Sequence, residues 1–469
     1  MTAGRGADEV GMDQVLAAGG AMGRLIATTD WGVTALGPLR DWCPTLRTMM
    51  SVCLESGFPK VVLWGPELLM IYNDGYASII DHKHPECLGQ PFRQVWPEIW
   101  DIMHPMFDRV MSGGGATWSQ NQLLVLNRRG YLEECYSTFS LSPIRDLAGG
   151  GGVVGVLGTG QETTRQVLDT RRLSCLRELA TATADSCDPR EVCTRAVEVL
   201  GRYPADLPYS AVMLRDPNAQ QLVLRPVASC GLTDDPETLD RPEGGRQRDD
   251  ASPALPEAQA PGLLSVFGPD AALPELMDAL SSGQARVVQR LPERFPLRLT
   301  DGSRPPSSAI VAPLAEGCDG LPIGLLLAGI SDLLTPDDDY RDFVELLAGQ
   351  ISTAVVVARA GEVERARAAD ARHQALHDGL TGLPNRTALL EQFQQALTRA
   401  QGDRRRVAVL FVDLDGFKTV NDSLGHQAGD DLLCEVAARL RRTVRPGDTV
   451  ARFSGDEFAV LCGDVTSTA

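Results

Sequence analysis

The chain has 469 residues, 43% of them hydrophobic, and carries 44 Lys and Arg against 62 Asp and Glu for a net charge of -18. That length and apolar share fit a soluble protein of about three domains. So acidic a composition repels a phosphate backbone and excludes nucleic acid as an expected partner, while a small nucleotide held with a divalent cation stays compatible.

Residues 1–24 read as a disordered tail, with no charged start followed by an apolar run. No apolar stretch approaches the roughly 18 residues of a membrane span, so the expectation is a cytoplasmic protein with no membrane partner. The eleven scattered cysteines form no Cys-x-x-Cys pair, which argues against a zinc site and a disulfide framework and for a reducing compartment.

From residue 25 to 164, strand-like runs (Val61 to Trp64, Leu68 to Tyr72, Gln122 to Leu126, Tyr131 to Ser140, Val153 to Leu157) alternate with turn signals. Asn127-Arg128-Arg129-Gly130 and the Gly149 to Gly152 cluster read as hairpin connections, and the stretch from Cys87 to Met111 as helices on one face of an antiparallel sheet. All six tryptophans (31, 42, 64, 96, 100 and 118) lie here, as a bulky core or an aromatic ligand pocket, with packing the better reading. Phe58-Pro59-Lys60-Val61-Val62-Leu63-Trp64-Gly65-Pro66-Glu67 and Tyr72-Asn73-Asp74-Gly75-Tyr76 resemble the PAS sensor domains of signalling enzymes. His82, His84 and His104 are metal or haem candidates by type, but isolated histidines are more often plain surface or core residues, and no sensory cofactor is assigned.

Residues 165–202 read as a connecting helix. Residues 203–358 resemble a GAF sensor domain in strand order and closing helix, with strands at Ser210 to Leu214, Gln221 to Val227, Ala309 to Leu314 and Ile323 to Ile330. The Pro- and acid-rich stretch 234–261 is expected to be a mobile insertion. From Tyr340 the apolar positions Tyr340, Phe343, Leu347, Ile351, Ala354 and Ala358 step by three and four, a coiled-coil seam at the start of a helix over 340–377. That helix is either a solvated connector or a dimerising signalling helix.

Residues 378–469 hold the chemistry. Asp378-Gly379-Leu380-Thr381-Gly382-Leu383-Pro384-Asn385-Arg386 is turn-rich and leads into an amphipathic helix. Val407 to Val412 is a continuous apolar run, read as a strand buried on both faces, and ends in Asp413-Leu414-Asp415-Gly416-Phe417-Lys418. Two helical stretches with Asn421, His426 and Asp430 follow. Thr449 to Phe453 and Phe458 to Cys462 then flank Ser454-Gly455-Asp456-Glu457 as a hairpin. Acids at a strand end hold hard cations, and glycine at 455 admits a ligand close to the backbone. If the hairpin pairs beside the Asp413 strand, Asp413 and Asp456 can share a Mg²⁺ ion over a nucleoside triphosphate.

The runs Phe411 to Asp430 and Arg452 to Phe458 resemble the GGDEF domain of diguanylate cyclases nearly position by position. The fold expected is therefore α+β and multidomain: two antiparallel sheets with helices, PAS-like and GAF-like, and a partial palm-like α/β sandwich, joined by helical linkers. The resemblance implies Mg²⁺ (or Mn²⁺) on Asp413, the Leu414 carbonyl and Asp456. It implies guanine reading by Asn421 and Asp430, and a substrate pocket lined by His426 and Gly455. Lys418 would offset charge on the phosphates and Glu457 would assist deprotonation of the ribose 3′-hydroxyl, the two catalytic candidates. Arg445 and Asp448 would form a product-binding inhibitory site, or else an ordinary surface ion pair.

Ser454 departs from the family by replacing its first glycine. The family continues well beyond the hairpin, so the domain is expected to be about half present in this chain, with an exposed sheet edge and no activity of its own. The expected function of the complete protein is condensation of two GTP into cyclic di-GMP and pyrophosphate by a homodimer under sensor control, with cyclic di-GMP as a possible feedback inhibitor. The alternatives are a non-enzymatic regulator binding GTP or cyclic di-GMP, and a sensor histidine kinase using His373 or His377, although no glycine-rich ATP boxes follow those histidines.

Overall fold

Strand-period alternation in the first third of the chain is realised as a five-stranded antiparallel sheet in the order β2-β1-β5-β4-β3. The strands are β1 (Lys60–Trp64), β2 (Leu69–Tyr72), β3 (Thr117–Asn127), β4 (Leu132–Arg145) and β5 (Val153–Glu162). The computed structural model describes residues 7–216, 224–232, 274–290, 299–300, 305–316, 320–403 and 406–465. These divide into two units, Met1–Val356 and Val357–Ala469.

In the first unit both expected hairpins form. Gly130 takes φ +89° and donates its N–H to Asn127 Oδ1 (3.0 Å), closing the β3–β4 turn. Helices Phe92–Val95 and Trp100–Met111 bury Phe92, Met103, Phe107 and Val110 in the sheet's core. Trp31, Trp42 and Trp96 are buried, the first two edge-to-face at 5.0 Å, as the packing reading requires. Trp118 instead lies exposed on the edge strand β3.

The expected N-terminal tail is corrected. Residues 7–24 fall in helices Ala7–Ala18 and Gly20–Thr28, which sink Leu16, Met22 and Ile26 into the same core. The Asp74 carboxylate accepts from the N–H groups of Ala21 (3.0 Å) and Met22 (2.7 Å), satisfying donors that a helix start leaves open.

The connector 165–202 is likewise two helices, Thr164–Thr183 and Pro189–Leu200. Asp188 caps the second through the Arg190 N–H, with Pro189 at its first position. The second helix buries Val192, Cys193, Ala196, Val197 and Leu200 rather than spanning open space.

A second antiparallel sheet follows in the order β7-β6-β10-β9-β8. Its strands are β6 (Ser210–Arg215), β7 (Leu224–Cys230), β8 (Arg286–Gln289), β9 (Ser308–Glu316) and β10 (Pro322–Gly329). β10 is central and buried throughout. The expected insertion 234–261 and the start of the Gln221 strand lie outside the described residues.

Asp338–Leu376 is a single helix of 39 residues. Its seam of Tyr340, Phe343, Leu347, Ile351 and Ala358 is almost wholly buried, and Tyr340 Oη donates to the Asp206 carbonyl. The seam read as available for helix pairing is therefore taken up by packing within the chain. By length and composition this helix could cross a membrane, but 44% of its apolar window is buried.

The second unit holds a three-stranded antiparallel sheet in the order β11-β13-β12, with β11 (Arg406–Asp413), β12 (Thr449–Ser454) and β13 (Glu457–Val465). One face buries Leu433, Ala437, Val450, Phe458 and Val460, the other Leu389, Ala396, Ala451, Ala459 and Leu461. Helices Arg386–Asp403, Phe417–Leu424 and His426–Thr443 complete the described part. Among the described residues β11 pairs only with β13 and is not buried on both faces as expected: Leu410 is 52% and Phe411 65% exposed. An unbroken apolar run does not by itself tell a central strand from an edge strand.

Candidate active site

β11 runs antiparallel to β13 with Asp413 directly opposite Glu457. Directly opposed residues of an antiparallel pair project from the same face, so these two carboxylates share one. Asp456 is the residue before Glu457, in the two-residue turn between Ser454 and Glu457, where Gly455 takes φ +45°. After Asp413, Gly416 turns left-handed (φ +76°) and the helix Phe417–Leu424 begins, with the Leu414 carbonyl accepting from Phe417 N–H (3.2 Å). One end of the sheet thus collects Asp413, Leu414, Gly455, Asp456 and Glu457.

Lys418 and Asn421 lie on Phe417–Leu424, His426 and Asp430 on His426–Thr443, two helices packed against each other. The Asn421 side chain rests on Gly429, so close that a methyl group at 429 would overlap its Oδ1. That Oδ1 is buried without a hydrogen-bond partner, an arrangement that costs about 1–3 kcal/mol unless something else meets it. Among the described residues, Asp413, Asp430, Asp456 and Glu457 take no side-chain hydrogen bond or ion pair. No cluster of three or more His, Cys, Asp or Glu among them is arranged around a metal position. The donors gathered here are two carboxylates and a backbone carbonyl, all hard oxygens suited to Mg²⁺.

Two residues that sequence reasoning left without a role hold the turn. Arg452 Nε donates to the Gly455 carbonyl (2.8 Å), and its Nη1 donates to Asp378 (3.1 Å). Asp378 also accepts from the Thr381 N–H (2.9 Å) and hydroxyl (2.7 Å). Both residues stand in the quoted motif runs, and their pairing across 74 positions is what the sequence hides. Partial burial opposes charge on Asp378, but the hydrogen bonds from Thr381 and Arg452 outweigh it and hold the carboxyl below its usual range.

The folded state binds this proton less readily than the unfolded chain, so the contribution is full above about pH 4 and fades as pH falls through the depressed value. Denaturant unfolding of Asp378→Asn should show a stability deficit at pH 7 that closes toward pH 3. A deficit constant across that range would remove the ionised carboxylate as its cause.

Arg445 and Asp448 pair at 3.2 Å beside an open cleft of about 570 Å³ that Gln392, Gln395, Arg399 and Thr449 also line. They adjoin the start of β12 at Thr449, whereas Gly455 follows its end, so roughly 17 Å of strand separates the two places.

Residues 375–469 match the family model "Diguanylate cyclase, GGDEF domain". By homology this segment is a GGDEF domain of the diguanylate cyclase family. The GGDEF segment is 60% identical over 87 residues to the bifunctional diguanylate cyclase/cyclic di-GMP phosphodiesterase MucR of Pseudomonas aeruginosa, covering 19% of this chain and 13% of that protein. It is 53% identical over 93 residues to the cyclic di-GMP phosphodiesterase NbdA of the same species, covering 20% and 12%. A solved structure of the P. aeruginosa TpbB GGDEF domain shares 49% identity, with 19% of this chain and 53% of that one covered and a TM-score of 0.19. The chain therefore spans only a small part of the length of these two curated relatives.

Proposed function

We propose that the complete protein condenses two GTP into cyclic di-GMP and pyrophosphate. One observation carries the reading: within the family-matched segment the sheet end presents acids with no side-chain partner among the described residues, and the buried Asn421 Oδ1 lacks a hydrogen-bond partner too. Asp413, Asp456 and the Leu414 carbonyl would hold Mg²⁺ (or Mn²⁺), which when bound supplies Lewis-acid polarisation of the phosphoryl oxygens. The Asp430 carboxylate accepts from guanine N1–H and the amino group, and Asn421 supplies an amide to the same base, so adenine would leave a buried acceptor unmet. His426 and Gly455 line the pocket, Lys418 offsets phosphate charge, and Glu457 takes the proton of the attacking 3′-hydroxyl.

Each domain holds one GTP, so two copies face each other. The sheet domains 25–164 and 203–358 act as PAS-type and GAF-type sensors upstream, in the cytoplasm, and Arg445 with Asp448 takes up cyclic di-GMP as a feedback inhibitor.

The test is product: the complete protein incubated with GTP and Mg²⁺ should release cyclic di-GMP and pyrophosphate, and release of neither would sink the reading. A second reading, a GTP-binding regulator without turnover, draws on NbdA, a relative named for phosphodiesterase activity alone. It predicts GTP binding with no product. In either case Gly429→Ala, which displaces Asn421, should weaken GTP binding about tenfold by calorimetry. Unchanged affinity would remove Asn421 from the base contact.

A further inference from the structure

The long helix ends in two histidines, His373 in its last turn and His377 directly after Leu376. Residues at i and i+4 lie on one face of a helix, and here the two imidazole rings stack with centroids 4.0 Å apart and planes 19° from parallel. His377 is fixed in place. Its backbone N–H and its Nδ1 each lie 3.0 Å from the His373 carbonyl. A carbonyl oxygen only accepts, so Nδ1 carries the proton and the lone pair stands on Nε2. An imidazole whose other N–H is held by a backbone carbonyl is in the tautomer that ligates a metal. The backbone beneath it is fixed as well: Asn385 donates its N–H to the Leu376 carbonyl (2.9 Å) and its side-chain amide to the Ala375 carbonyl (2.8 Å), and His377 pairs with Pro384 in an isolated bridge. His373 is exposed, and its ring takes no hydrogen bond or ion pair among the described residues. Asp370, exposed three residues earlier, adds a negative charge to the same face.

We propose that His373 and His377 form a two-nitrogen site for a borderline divalent transition-metal ion such as Zn²⁺ or Ni²⁺, with water completing the coordination. Two imidazole nitrogens on a tetrahedral ion, each at about 2.0–2.1 Å, stand roughly 3.3 Å apart. A stacked pair reaches that spacing by a small χ2 rotation of the unbonded His373 ring, with His377 left where it is. Imidazole suits such ions, whereas Mg²⁺ takes oxygen donors, so this pair and the acids at the sheet end select different metals. An ion held by both residues pins the last turn of the helix to the residue before Asp378, the carboxylate bonded to Arg452. The site stands on the histidine pair alone and is independent of the proposed condensation.

Calorimetry of the full chain with NiCl₂, in buffer holding excess Mg²⁺ to occupy the carboxylates, tests it. His373→Gln and His377→Gln should each weaken Ni²⁺ binding about tenfold or more. His373→Ala combined with Ala375→His keeps the number of imidazoles but takes the first off the shared face, and should weaken binding as much as either single change. Amide exchange at residues 373–377 should slow when Ni²⁺ is added to the parent and stay unchanged in the three variants. His373 is exposed and its ring unbonded, so His373→Gln should melt with the parent in the absence of metal. The proposal falls if the parent takes up no Ni²⁺ at about 100 µM, if His373→Gln or the displaced pair binds as tightly as the parent, or if Ni²⁺ leaves exchange at 373–377 unaltered.

Discussion

Asp456→Ala in the complete protein should lower cyclic di-GMP formation by about 10³-fold, with the fold intact. A metal-holding carboxylate over a triphosphate is worth several kcal/mol in the transition state, and roughly 4 kcal/mol corresponds to three decades. The stability half of the expectation is independent. Asp456 takes no hydrogen bond or ion pair within the chain among the described residues, and it stands in a turn supported instead by Arg452 through the Gly455 carbonyl. Truncating it removes nothing the turn depends on, so unfolding should shift by no more than about 0.5 kcal/mol. Turnover assays beside denaturant melts read both quantities. Retained turnover would remove Asp456 from the chemistry, and a large loss of stability would make it a structural residue.

What the sequence disclosed here was local. The acidic turn, the Asp413 strand end and the hairpin are each set by a few adjacent residues, and register then brought Asp413 opposite Glu457. Patterns that depend on a distant partner were misread. The 340–358 seam has the spacing of a dimer contact, but the second sheet's surroundings consume it. β11 has the composition of a central strand, and among the described residues it pairs with β13 alone, since a run of apolar residues does not say how many neighbours pair with it. The four-residue β8 is too short to show a period. Residues 7–24 lacked an obvious amphipathic pattern, and their helices owe much to contacts with residues from Leu54 to Asp74.

The first unit contains one charge assembly whose loss should be severe. The Arg171 guanidinium donates to Glu134 on β4 (2.7 Å) and, through Nε, to Asp206 after the Pro189–Leu200 helix. The Asp206 side chain is 1% exposed and Glu134 5%, with Arg172 as a more distant partner at 3.4 Å. Burial opposes the charge on Arg171, yet hydrogen bonds and attraction from Asp206 and Glu134 hold it protonated above the ordinary arginine value. The Asp206 carbonyl receives Tyr340 Oη, so the same few residues join β4, the connecting helices and the start of the long helix. Arg171→Met leaves two desolvated carboxylates short of their main partner and should cost about 3–5 kcal/mol in denaturant unfolding. Lysine should not rescue it, because a single ammonium cannot reproduce the fork that spans Glu134 and Asp206. Neutralising all three positions as Arg171→Met, Glu134→Gln and Asp206→Asn should recover most of the loss, since the penalty comes from stranded charge rather than from a missing attraction. A single variant within about 1 kcal/mol of the parent would mean that these carboxylates are hydrated in the folded chain, and that the junction is held by packing around Tyr340 and Phe343.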